Sequence, residues 1–131
     1  MFAFRLDARS GVPTYRQIVD QVRQAVMLGY LRTGDQLPTV REVAATLAIN
    51  PNTVAKAYRE LERSGLAAPR PGLGTFIVAV PREVTPEAYA RLRQSLRRWL
   101  RTAHDAGLDP DQVSALFTDT AAAFDATEGV A

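Results

Sequence analysis

Four polar residues stand close together in the stretch Asn50-Pro51-Asn52-Thr53-Val54-Ala55-Lys56. Their chemistry suits the reading of base edges. An Asn amide pairs bidentately with adenine, Thr offers a hydroxyl and a methyl, and Lys reaches guanine or phosphate. Asn50 before Pro51 is also an N-cap before a first helical residue, so the group falls on the opening turns of a helix. No acidic residue follows until Glu60 and Glu62. Upstream, Thr39 and Arg41 open another helix, whose free N–H groups and hydroxyl can hold a phosphate. Downstream, Arg70 precedes Pro71-Gly72-Leu73-Gly74, where glycine lets backbone approach a partner closely. Taken singly, Thr39 and Asn50 are caps and Lys56 is a surface charge. Their order, with several independent signals agreeing, is what points to nucleic acid.

Other chemistry finds no support. The one histidine, His104, has no cysteine or carboxylate cluster around it, and the chain has no cysteine at all. No metal site, cofactor, phosphate loop or catalytic triad is expected. Gly72-x-Gly74 is not a dinucleotide fingerprint, because no helix follows it. An enzyme is therefore not expected. The 131 residues carry a net charge of +2. Residues 1–78 hold ten Lys/Arg against six Asp/Glu, giving +4, and residues 79–131 hold six against eight, giving −2. All the basic residues but Lys56 are arginine. No signal-peptide pattern or membrane span is read, and the lack of cysteine suits a cytoplasmic location.

These residues need a scaffold to hold them. Phe2, Phe4 and Leu6 alternate, which predicts an extended arm over 1–12. Pro13 fits a first helical position, and Tyr15, Ile18, Val19, Val22, Ala25 and Val26 recur at helical spacing over about 13–28. Thr39 and Glu42 form a capping-box pair that starts a helix over about 39–47. Ala48-Ile49 is a tight connection to the helix 51–64, whose inner face is Val54, Ala57, Tyr58 and Leu61. Leu66–Ala68 and Thr75–Val78 read as short strands about a hairpin tip, with Pro69 confining the first to an edge. Helix, helix, turn, helix, hairpin is the order of a winged helix-turn-helix over 1–80. The wing is 67–78.

A linker begins at Pro81, and 81–131 form a two-helix tail. Thr85-Pro86-Glu87 starts a helix that ends near Gly107. Tyr89, Leu92, Leu96, Trp99 and Ala103 make a narrow apolar seam along it. Asp109-Pro110-Asp111-Gln112 starts the last helix, with Val113, Leu116, Phe117 and Phe124 on its apolar side. That side is expected to cover part of the seam, and the chain after Asp125 is expected to fray. Two short helices hold little core alone, so two copies pairing through Tyr89, Leu92, Leu96, Trp99, Leu116, Phe117 and Phe124 make a four-helix arrangement. The alternative is a monomer with both helices folded on the N-terminal domain. Arg91, Arg93, Arg97, Arg98 and Arg101 read as a solvated face pairing with Asp105, Asp109 and Asp111. The fold class is mainly α with a small β-hairpin (α+β).

Residues 13–78 resemble the N-terminal domain of the GntR family of bacterial transcription regulators. The resemblance is carried by Pro13-Thr14-Tyr15-Arg16-Gln17-Ile18, by Gly34-Asp35-Gln36-Leu37-Pro38-Thr39-Val40-Arg41-Glu42-Val43-Ala44, by Asn50 through Glu62, and by Gly65-Leu66 with Gly72-Leu73-Gly74-Thr75-Phe76. It implies dimeric binding to a palindromic operator in double-stranded DNA. It assigns contact to Arg41, Asn50, Asn52, Thr53, Lys56 and Gly72. Pro51 and Leu73 depart from the basic or polar residues many members carry there, so base preference should differ. The short tail is similar to the YtrA-like subgroup, whose helical C-terminus serves dimerisation. This implies a repressor of a transporter operon. A small-molecule effector between the tails, near Trp99 and Phe117, is a further partner the sequence allows without naming it. The alternative reading is a winged helix that binds protein instead of DNA.

Overall fold

In the computed structural model, which describes residues 2–79 and 84–129, helix α1 spans Thr14–Met27. Its periodic set Ile18, Val19, Val22, Ala25 and Val26 is buried. Pro13 lies one residue outside the expected start: it is the N-cap, with φ −54° and ψ 144°, and the helix begins at Thr14. The extended arm expected over 1–12 is interrupted: residues 2–7 pair with no strand, and the chain turns at 8–10, where the Ser10 N–H returns to the Asp7 carbonyl at 3.3 Å. Two glutamines one turn apart on α1 satisfy its backbone instead. Gln17 Oε1 accepts the Asp7 N–H at 2.8 Å, and Gln17 Nε2 donates to the Asp7 carbonyl at 3.0 Å. Gln21 makes the same two-way pairing with Arg5. The arm thus delivers Phe4 to the core, with Phe2 edge-on to it at 4.8 Å between ring centroids.

Helix α2 (Val40–Leu47) is capped by Thr39, whose Oγ1 accepts the Glu42 N–H at 3.1 Å. The chain leaves it through Ala48 in the left-handed region, φ 55°, and the Ile49 N–H returns to the Ala44 carbonyl at 3.1 Å. That single left-handed residue turns the chain into helix α3 (Pro51–Arg63) within two residues. Asn50 caps α3, its Oδ1 accepting the Asn52 N–H at 2.8 Å. Val54, Ala57, Tyr58 and Leu61 are buried on its inner face. The Tyr58 hydroxyl donates to the Pro38 carbonyl and so ties α3 to the start of α2. Burial, and next the negative charge of Glu42, push the Tyr58 phenol well above its ordinary pKa.

Strands β1 (Ala67–Arg70) and β2 (Gly74–Ile77) are antiparallel, pairing Ala67 with Ile77 and Arg70 with Gly74. The ladder therefore runs closer to the tip than expected, because the Leu73 N–H closes a tight turn onto the Arg70 carbonyl at 2.9 Å. Pro69 sits inside β1, on the outer side of which no strand pairs among the described residues. Its missing N–H costs no ladder bond there. On the other side of β2 lies the stretch before α2. Gln36 bridges Phe76, the Leu37 N–H reaches the Thr75 carbonyl at 2.8 Å, and the Ile77 N–H reaches the Asp35 carbonyl at 2.8 Å. The wing is thus backed by a third extended segment, fixed to the body of the domain. One core joins these pieces, with Ile18, Leu37, Leu61 and Ile77 among its fully buried side chains.

The chain divides into two units, Met1–Val84 and Thr85–Ala131. The linker expected to begin at Pro81 lies outside the described residues. In the second unit, α4 (Pro86–Asp105) is capped by Thr85, and α5 (Pro110–Phe124) by a reciprocal Asp109/Gln112 capping box. Residues Asp125–Gly129 continue as one π-helical turn rather than fraying. The expected cover of part of the seam is confined to its Ala103 end. Leu92, Leu96, Trp99, Leu116, Phe117 and Phe124 are all exposed, Tyr89 is half-buried, and Ala103 alone among the described residues of this unit is buried. The physical reason is packing area: around the elbow only Ala103 is buried, with Leu108 and Val113 half-buried and the Leu108 N–H returning to the Ala103 carbonyl at 3.1 Å, which is too little apolar burial to seal a 20-residue helix. Among the described residues, the expected ion pairs of Arg97, Arg98 and Arg101 with Asp105, Asp109 and Asp111 do not form either. Asp109 is used as a cap, and Asp105 faces His104 at 3.7 Å.

Candidate nucleic-acid interface

Helix α3 is amphipathic because its two jobs fall on opposite sides. The inner side is sealed by Val54, Ala57, Tyr58 and Leu61. On the outer side Asn52 and Lys56 are exposed, Thr53 is half-exposed, and Asn50 is exposed at the cap. The cap hydrogen bond occupies Asn50 Oδ1. Bidentate pairing with adenine needs both the oxygen and the NH₂ of one amide. Asn52, whose side chain bonds to no described residue, is therefore the amide equipped for it. The acidic residues stay away from this end. Glu60 is held by Arg63 at 2.6 Å, and that hydrogen bond keeps its carboxyl below the ordinary range.

Thr39 and Arg41 are exposed at the start of α2. The Thr39 hydroxyl is engaged as the cap, and the Arg41 guanidinium points to no described acceptor. The wing places Arg70, Gly72 and Leu73 at its tip, with Leu73 63% exposed. Pro71 and Gly72 occupy the two central turn positions, and Gly72 has φ +75°, as a type II turn demands. All eight residues expected at the interface thus belong to the first unit and lie on α2, α3 or the wing.

Three contacts that shape this region go beyond what the sequence analysis identifies. Gln36 Nε2 donates to the Leu73 carbonyl at 2.7 Å and fastens the wing tip to the segment before α2. A Cβ at Gly74 would lie 2.7 Å from that same nitrogen, so glycine there makes room for the fastening. Tyr15 on α1 lies under Lys56, with Nζ 4.0 Å from the ring centroid. Phe76 lies under Arg70, with the guanidinium carbon 4.5 Å from its ring centroid. The Arg70–Phe76 contact was partly legible as a diagonal pair on a hairpin. The other two join residues distant in sequence. No carboxylate lies within 4.0 Å of Lys56, Arg70 or Arg41 among the described residues.

Comparison with known proteins gives this geometry a context. Residues 14–77 match the family model described as bacterial regulatory proteins, gntR family. The chain is 36% identical over 110 residues to the HTH-type transcriptional repressor YtrA of Bacillus subtilis, covering 83% of this chain and 85% of that one. Among solved structures it is similar to YtrA from Sulfolobus acidocaldarius, a GntR-family transcription factor, with TM-score 0.55, 32% identity, and coverage of 76% of this chain and 99% of that one. It is also similar to a structure described as a transcriptional antiterminator from Listeria monocytogenes, with TM-score 0.60, 30% identity, and coverage of 92% and 90%.

Proposed function

The chain belongs to the gntR family of bacterial regulatory proteins and is a DNA-binding transcription regulator, and on that premise we propose that it acts as a dimeric repressor on a palindromic operator. Helix α3 enters the major groove. Asn52 reads adenine, and Thr53 and Lys56 contact neighbouring bases or phosphate. Asn50 holds the helix start and offers its NH₂ to the backbone. Thr39, Arg41, Arg70 and Gly72 flank the groove on phosphates and, at the wing, on the minor groove. The observation that carries this reading is the surface of α3: the polar groups of its first turns are amide, hydroxyl and ammonium with no carboxylate among them, while its inner face is sealed.

The second unit is the dimerisation domain in this reading. Its support is the uncovered seam of Tyr89, Leu92, Leu96 and Trp99 with Leu116, Phe117 and Phe124. A two-fold pair would present two α3 helices to half-sites about 10 bp apart or a multiple of that. The proposed setting is a cytoplasmic repressor of a transporter operon, as the sequence resemblance implies, with a small-molecule effector as a further partner. No described helix is long and apolar enough to cross a membrane.

The test is binding of the purified chain to the DNA upstream of its own gene and to a scrambled control, across a salt series. Preference for the upstream DNA by a species of dimer mass is expected. Arg41→Ala should lower the salt slope by about 0.9 per lost phosphate contact without loss of fold. No binding to either DNA at low salt would replace this reading with a protein-binding winged helix.

A further inference from the structure

We propose that Tyr15 and Phe76 are positioning residues of the DNA interface, Tyr15 seating Lys56 (with the Arg16 guanidinium carbon farther out over the same ring, 5.3 Å from its centroid) and Phe76 seating Arg70, so that each cation meets the nucleic acid already aimed and not neutralised by a carboxylate. The inference rests on reading Lys56 and Arg70 as DNA contacts. Its evidence is a recurrence: the two cations that bracket the recognition surface, one on α3 and one on β1, are each seated on a ring from a neighbouring element. Lys56 Nζ is 4.0 Å from the Tyr15 centroid and the Arg70 guanidinium carbon is 4.5 Å from that of Phe76. Neither ring is a free surface group. Both are half-buried, Tyr15 is packed against the core, and Phe76 is fixed by pairing with Ala68 and Gln36.

The choice of partner matters physically. A long basic side chain loses rotamer freedom when it docks, and that loss weakens binding unless it is ordered beforehand. A carboxylate could order it, but would cancel the charge that a phosphate needs and would itself repel the phosphate. An aromatic face attracts the cation through its quadrupole and leaves the net charge intact. The structure shows the second arrangement and not the first, since no carboxylate pairs with either cation among the described residues.

The experiment uses the full chain and its upstream DNA in a salt series. For the first pair the variants are Tyr15→Leu, Tyr15→Phe, Lys56→Ala and the double Tyr15→Leu/Lys56→Ala. For the second they are Phe76→Leu, Phe76→Tyr, Arg70→Ala and the double Phe76→Leu/Arg70→Ala. Each leucine variant should weaken binding about two- to fivefold, the size of an exposed cation–aromatic contact. Its salt slope should be unchanged, because the cation is still present. The ring-keeping variants should bind as the wild type. The alanine variants should lower the slope by about 0.9, and adding leucine to them should cost nothing more. Leucine variants that bind as the wild type, bind more tightly, or weaken equally with and without the cation overturn the proposal. An upfield ring-current shift of the Lys56 ε-protons in the free protein, lost in Tyr15→Leu, separates the two possible failures. If that shift is present while Lys56→Ala and Arg70→Ala leave affinity and slope untouched, the DNA-contact reading has failed and takes the positioning role with it. If the shift is absent, the seating of Lys56 on Tyr15 is itself wrong.

Discussion

Replacing Gly74 by alanine should loosen the wing, and the structure allows the size to be worked out. Gly74 has φ +123°, a conformation that side chains of L-residues rarely adopt. Forcing alanine into it costs about 1–3 kcal/mol of backbone strain. The new Cβ would also lie 2.7 Å from Gln36 Nε2. That nitrogen is the end of a flexible side chain, so it moves aside, but moving breaks its 2.7 Å bond to the Leu73 carbonyl. The lost bond adds about 0.5–1.5 kcal/mol. The sum, about 1.5–4.5 kcal/mol, is a large share of a typical domain stability of about 5–15 kcal/mol. Urea denaturation would measure it. Amide exchange at Leu37 and Ile77, whose N–H groups bond across the wing base, would localise it. Gln36→Ala alone should show only the bond, about 1 kcal/mol. In that background Gly74→Ala should add the strain and nothing for the bond. If Gly74→Ala stays within about 0.5 kcal/mol of wild type, neither the strain nor the contact with Gln36 is real. If its effect is the same with and without Gln36, the strain stands and the contact does not.

Two other perturbations address the core and the tail. Trp99→Asp places a charge in the seam, where Trp99 is 38% exposed; loss of such an anchor should raise the dimer dissociation constant on the order of 30-fold or more, and an unchanged dimer mass in sedimentation would move the interface elsewhere. Tyr58→Phe should cost about 1–2 kcal/mol at pH 7, because the Pro38 carbonyl loses its donor. That gap should narrow as pH rises above about 10. The unfolded phenol then ionises while the folded one, pushed up by burial, does not, so the wild type loses stability at up to about 1.4 kcal/mol per pH unit. A gap independent of pH in paired urea titrations would refute it.

The helix starts were legible because capping is short-range chemistry. Thr39, Asn50, Thr85 and Asp109 each bond an N–H two or three residues on, and such spacing is written in the sequence. Pro13 was placed one residue wrong because proline, with no N–H to lose, suits the N-cap almost as well as the next position. The inner face of α3 followed from periodicity alone. The fastening of the wing by Gln36 did not, since it joins residues 37 apart and nothing local marks a glutamine as a wing anchor. The seating of Lys56 on Tyr15 was hidden for the same reason: nothing near Tyr15 in the sequence pairs it with a residue on α3. The uncovered seam failed differently. Periodicity identifies an apolar face, but it does not say whether the cover comes from the same chain.

That failure bears on how the regulator works. A 20-residue helix and a 15-residue helix that bury one alanine between them have almost no tertiary core of their own. In proteins most helical stability comes from packing an amphipathic face rather than from the helix itself. In the proposed dimer the stability of the second unit is then inseparable from association, and folding of the tail and pairing of the protomers become one equilibrium. Two joined winged units bind an operator far more tightly than one, because the second half-site is met at the effective concentration set by the link between them. Anything that weakens the tail interface therefore reduces operator occupancy without touching α3, and anything that binds the paired tails raises it. In the proposed dimer, control of this kind would act on the apolar surface of α4 and α5 and not on the surface proposed to meet DNA.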